Sequence, residues 1–137
     1  MLTVLAAIPL AIVDLARARL VLARLRTPEL AQRNRAAADV GRSPREALPG
    51  DADAVHLVGH VYLRVAQIVP WRSDCLVQAL AAQHRLAARR IASEIVIGVD
   101  KTDTDGFSSH AWLRYGNHIV TGGVVDRYAV ILDAGGH

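Results

Sequence analysis

The chain holds one cysteine, Cys75, and six histidines. Cys75 follows Ser73-Asp74, two good N-cap residues, and Leu76, Leu80, Leu86 and Ala87 carry a helical period to about Arg90. The spacing therefore puts the thiol in the first turn of a helix. Oriented N–H groups at a helix N-terminus favour the thiolate, which is the nucleophilic form of cysteine. A cysteine nucleophile also needs a base from elsewhere in the chain. His110 answers that need, because it begins a strand after a polar loop, where a side chain can face a cleft mouth. The competing readings are a small core cysteine and a satisfied histidine at a loop–strand junction. No obvious third residue stands by to hold the imidazole in one tautomer.

Other polar clusters carry weaker chemistry. His56 and His60 share one helix face at zinc-binding spacing, but Leu57 stands where a zinc peptidase helix has its glutamate, and no third ligand is nearby. Asp100, Asp103 and Asp105 with Lys101 form an acidic loop that lacks the spacing and terminal Glu of a calcium loop. Arg89-Arg90 suits a helix C-terminus, where cations are favoured. A glycine-rich phosphate loop and a dinucleotide fingerprint are both missing from the sequence.

The elements around these residues read in order as helices and then strands. Residues 2–13 are nearly all apolar up to Asp14, a run too short for a bilayer span of about 20 residues. With no Lys or Arg before it, the run also fits a secretory signal poorly. Beyond Asp14 the pattern turns amphipathic: Leu15, Ala18, Val21, Leu22 and Leu25 alternate with Arg17, Arg24 and Arg26. Such a helix packs on the core, or docks on a partner or an anionic membrane surface. Thr27-Pro28 marks the next helix, with Thr27 as cap. The turn residues Gly41 to Pro44 and Pro49 to Asp51 precede a helix over Asp53–Val69 that Pro70 stops. Ser93–Asp100 reads as a strand. His110–Tyr115 and His118–Thr121 flank the hairpin signal Gly116-Asn117, and Tyr128–Leu132 supplies a last strand. A helical N-terminal half followed by a small antiparallel sheet is an α+β fold.

Composition narrows the function classes. The chain has 137 residues, 52% of them apolar, enough to bury a core without staples. A lone cysteine excludes an internal disulfide framework and fits a reducing compartment. The net charge of +3 is unevenly placed. Residues 1–50 carry eight arginines against Asp14, Glu29, Asp39 and Glu46, whereas residues 51–137 are slightly acidic. The basic half contains no Phe, Trp or Tyr, which speaks against nucleic acid as a partner. The boundary at residue 50 thus separates an N-terminal helical region, for docking or core packing, from the part bearing the candidate chemistry. One compact domain overall remains the simplest organisation.

The order Cys75-Leu76, Ala79-Leu80, Arg89-Arg90, Ile97-Gly98-Val99 and His110-Ala111-Trp112 resembles the lasso-peptide leader peptidases, over roughly residues 55–130. These are transglutaminase-like cysteine peptidases, here similar to the stand-alone peptidase half of the split maturation protein. The resemblance implies a transglutaminase-like, papain-like core over residues 51–137, with Cys75 as nucleophile and His110 as base. It implies cleavage of the leader from a ribosomally made precursor peptide, without a cofactor, in the cytoplasm. The implied partners are that precursor, a companion leader-recognition protein and the separate ATP-using lasso cyclase; the N-terminal helix adds a peripheral membrane contact as an expectation. The family often places an acid across the hairpin from the histidine, where this chain has Thr121-Gly122-Gly123. Asp126, Thr121 or a backbone carbonyl then orients the ring, or Cys75 and His110 act as a dyad. The Cys75 N–H is one oxyanion donor, and the second is the Trp71 indole or a nearby amide. The rival readings are a transglutaminase-like acyl transferase, a non-catalytic precursor-binding scaffold and a zinc hydrolase.

Overall fold

A computed structural model describes residues 3–71, 73–100 and 109–134 of the chain. The acidic loop with Lys101, Asp103 and Asp105 lies outside the described residues. The first helix, α1 (Val4–Arg24), joins the apolar run and the amphipathic stretch into one element, despite Pro9. Thr3 caps it by accepting the Ala6 N–H at 3.3 Å. Asp14, which ends the apolar run in sequence, sits mid-helix and is only 2% exposed. Its charge is met from two other helices. Arg85 donates to both carboxylate oxygens, at 2.9 and 3.1 Å, and the Tyr62 hydroxyl donates to one of them. The inner face of α1 (Ala7, Ala11, Leu15 and Ala18) joins the core. Much of the outer face is apolar and exposed, with Leu5, Ile8, Ile12, Val13 and Leu20.

Helix α2 (Thr27–Asp39) corrects the expected cap: Thr27 is already helical and Arg26 is the N-cap. The Arg26 side chain pairs with Glu29 at 2.8 Å instead of leaving the cap to a hydroxyl. The helix brings Asn34, fully buried, to the start of the sheet. Asn34 Nδ2 donates to the Ile95 carbonyl at 2.8 Å, and its Oδ1 accepts the Ile95 N–H at 2.6 Å. Gln83 donates to the same Oδ1 at 3.0 Å. This side chain does the work of a neighbouring strand, because on that edge strand pairing begins only at Ile97.

Helix α3 (Asp51–Ala66) begins two residues before the sequence expectation and ends three before it. The early start belongs to Asp51, which accepts the Leu48 N–H at 3.0 Å and a two-pronged contact from Arg42 at 2.8 and 3.0 Å. The Arg42 hydrogen bonds, then the Leu48 N–H, hold the Asp51 carboxyl down at about 2. The folded state thus binds fewer protons here than the unfolded chain as pH falls from about 4 to about 2, so acid favours unfolding. The stability difference between wild type and Asp51→Asn, read from urea midpoints, should be full above pH ~4 and should fade towards pH ~2. A difference independent of pH across that window would refute it.

Helix α4 (Cys75–Ala88) packs against α1, α3 and the sheet. The strands β1 (Glu94–Asp100), β2 (Ser109–Tyr115), β3 (His118–Thr121) and β4 (Tyr128–Leu132) form one antiparallel sheet in the order β3-β2-β1-β4. The Gly116-Asn117 hairpin joins β2 to β3, as its sequence predicts. Ile95, Leu113, Tyr115 and Val120 turn to the helices and complete the core. The alternate residues of β2, His110 and Trp112, take the other side of the pleat and share it with Tyr128.

Candidate active site

Cys75 is the first residue of α4, and Asp74 is the cap. The Asp74 carboxylate accepts the Val77 N–H at 3.1 Å, which ties off one end-of-helix donor and fixes the direction in which the helix starts. The thiol is half-buried. Strand β3 pairs with β2 only as far as Leu113↔Thr121. Further along β2, the Ala111 N–H is instead taken up by Cys75 Sγ, at 3.4 Å. The sulfur therefore lies against the peptide that joins His110 to Ala111. An N–H donor and a helix N-terminus together complement negative charge on sulfur.

His110 is set by three neighbours. Its Nε2 lies 2.7 Å from the Gly122 carbonyl oxygen. A carbonyl oxygen only accepts, so Nε2 is the donor, and in the neutral ring Nδ1 has the lone pair that a base requires. Tyr128 stacks on the ring at 5.0 Å between centroids, and Trp112 lies 6.1 Å away. Gly98, opposite His110 in the β1–β2 register, makes this packing possible. A Cβ there would approach Tyr128 Cβ to 2.9 Å and the Trp112 ring to 3.0 Å.

Gly122 is the residue that aims the carbonyl. Its φ of +108° is a left-handed conformation, and a Cβ would overlap Trp112 Cβ and stand 3.2 Å from His110 Nε2. Gly122→Ala is expected to displace the carbonyl and cut turnover roughly 10²-fold, the scale of a small misplacement at a reacting group. Turnover equal to wild type would count against this role for the carbonyl.

The other expected participants fall elsewhere. Asp126 is exposed in the turn before β4 and makes no hydrogen bond to His110. Thr121 is buried, and its hydroxyl has no hydrogen-bond partner among the described residues. The Trp71 indole N–H, four residues before Cys75, is likewise buried without a partner among them. His56 sets its ring edge-on to that of His118 at 4.5 Å, and burial followed by the His56 charge holds His118 below the ordinary histidine range. Among the described residues no three His, Cys, Asp or Glu side chains are placed to hold a metal ion. The Ala111 N–H and the Tyr128 ring went unassigned in the sequence, whereas a backbone carbonyl was among the groups expected to orient the imidazole, and Gly122 supplies it. The only advance signal was the glycine pair that follows β3 in place of an acid.

A thiol on a helix N-terminus, set against a histidine-bearing strand of an antiparallel sheet, is an arrangement compatible with cysteine-dependent acyl transfer. A family model described as the transglutaminase-like superfamily matches residues 8–133, and the chain belongs to that superfamily. The match begins within α1 and covers all of α2. Searches of curated proteins and of solved structures returned no match.

Proposed function

We propose that this protein is a cysteine peptidase that removes the leader from a ribosomally synthesised lasso-peptide precursor. The observation that carries the reading is the placement of Cys75 Sγ against the His110–Ala111 peptide, with His110 Nε2 engaged by the Gly122 carbonyl. The run from Cys75-Leu76 through Ile97-Gly98-Val99 to His110-Ala111-Trp112 supports the choice of substrate.

His110 Nδ1 accepts the thiol proton, and the Cys75 thiolate attacks the scissile carbonyl carbon, forming a C–S bond. The Cys75 N–H at the helix N-terminus is one donor to the oxyanion. Collapse breaks the C–N bond as protonated His110 gives its proton to the leaving amine. Water, deprotonated by His110, then attacks the thioester, releases the leader as a carboxylic acid and restores the thiol. The core peptide leaves with a free amine. A separate ATP-using cyclase then takes up the core, and a companion leader-recognition protein presents the precursor. The proposed compartment is the cytoplasm. Among the described residues no helix is long and apolar enough to cross a membrane.

The test is to incubate the full chain with candidate precursors, with and without a leader-binding partner, and weigh the products. Free leader and free core are the expected masses. A precursor cross-linked to an amine would instead identify an acyl transferase. Intact precursor throughout would overturn the peptidase reading.

A further inference from the structure

Away from the thiol, α1, α2 and α4 enclose an open groove of about 360 Å³. Its floor includes Ala18, Val21 and Leu80, and Arg17, Arg33 and His84 also line it. Arg17 and Arg33 form no ion pair among the described residues, whereas Arg26, Arg42, Arg85, Arg114 and Arg127 each do. The nearby carboxylate of Asp14 is occupied by Arg85 and Tyr62. Burial first, and then the charges of Arg17, Arg85 and Arg33 against an opposing contribution from Asp14, hold His84 below the ordinary histidine range. The groove is therefore an apolar depression flanked by two guanidinium groups that make no ion pair among the described residues.

We propose that this groove docks an acidic peptide segment, seating a carboxylate between Arg17 and Arg33 and an aliphatic side chain on Ala18, Val21 and Leu80. Guanidinium forks match carboxylate geometry and hold it in two-pronged contacts. The concavity favours a peptide over a bilayer, whose flat surface does not reach the floor. The lining has no Phe, Trp or Tyr on which bases would stack, which disfavours single-stranded nucleic acid. The volume accepts a few side chains, as a short recognition segment requires. The groove uses Leu80 to Ala87 of α4 and leaves the Cys75 end untouched. Docking thus goes beyond the peptidase reading and does not depend on it.

Binding is measured on the full chain carrying Cys75→Ala, so that chemistry plays no part. The probe is a short fluorescein-labelled peptide of alternating glutamate and leucine, followed by anisotropy at low salt. Its counterpart has glutamine for every glutamate. The acidic peptide should bind at least about tenfold more tightly than the glutamine peptide, and the Arg17→Gln, Arg33→Gln double variant should erase that preference. Circular dichroism checks that the double variant is folded. If it is not, Arg33→Gln alone, at an exposed helix position, should still weaken the acidic peptide severalfold. Equal affinity for the two peptides, or for the folded variant and its parent, overturns the proposal. Binding to phosphatidylglycerol vesicles with no binding of the acidic peptide overturns it as well. Failure of the parent chain to dock the acidic peptide, with leader release intact, would sink this inference alone, and docking without leader release would sink only the peptidase reading.

Discussion

Replacing Cys75 with alanine should lower peptide cleavage by at least about 10³-fold while leaving the fold in place. The side chain is small and half-buried, and α4 keeps its Asp74 cap, so little stability rides on the sulfur. The proposed chemistry depends on it entirely, because no second cysteine exists in the chain. His110→Ala should give a loss of similar scale, since the thiol then lacks its base. The two losses should not add, because each alone disables the same attack. Thiol labelling separates this account from an inert core cysteine: iodoacetamide should modify wild type quickly near neutral pH and His110→Ala more slowly. Wild-type cleavage by either variant, with fold verified, would remove the proposed site.

Replacing Asp14 with alanine should destabilise the protein by about 3 kcal/mol, with no direct effect on the thiol. Asp14 stands at the junction of α1, α3 and α4, and its two oxygens take the Arg85 guanidinium and the Tyr62 hydroxyl. Removing it leaves a half-buried cation and a buried hydroxyl with no acceptor at that place. Burial, together with the hydrogen bond to Asp14, pushes the Tyr62 hydroxyl well above the ordinary tyrosine range, so it stays protonated and must donate. Tyr62→Phe removes one hydrogen bond and keeps the ion pair, so its cost should be nearer 1 kcal/mol. Urea unfolding of the two single variants and the double variant measures the coupling. A loss below about 1 kcal/mol for Asp14→Ala would show that the three helices are not held together here.

Each element was legible where its signal is local. The helix that begins at Cys75 follows from the Ser73-Asp74 caps and the spacing of Leu76, Leu80 and Leu86, and the hairpin follows from Gly116-Asn117. Boundaries slipped where a distant group intervenes. Asp51 starts α3 early because Arg42 and the Leu48 N–H hold its carboxylate, and Thr27 is not the cap of α2 because the Arg26 backbone takes that position. Asp14 looked like the end of an apolar run because its partners lie 48 and 71 residues further along the chain. Asn34 gave no sign of its role for the same reason, since Ile95 is 61 residues away.

The candidate site divides along the same line. The places of Cys75 at a helix start and of His110 on a strand could be read from residue order alone, because capping and β-propensity act over a few residues. The orientation of the imidazole could not. It rests on a Gly122 carbonyl, and every residue has a carbonyl, so no side-chain type announces it. The left-handed backbone at Gly122 and the overlap that any Cβ would make with Trp112 show why glycine stands where an acid was sought. The contact of the thiol with the Ala111 N–H likewise depends on how far β3 pairs along β2, a matter of sheet register. Local propensities specify which groups are available, whereas packing and register set the contacts each one makes, the Gly122 carbonyl for His110 and the Ala111 N–H for Cys75.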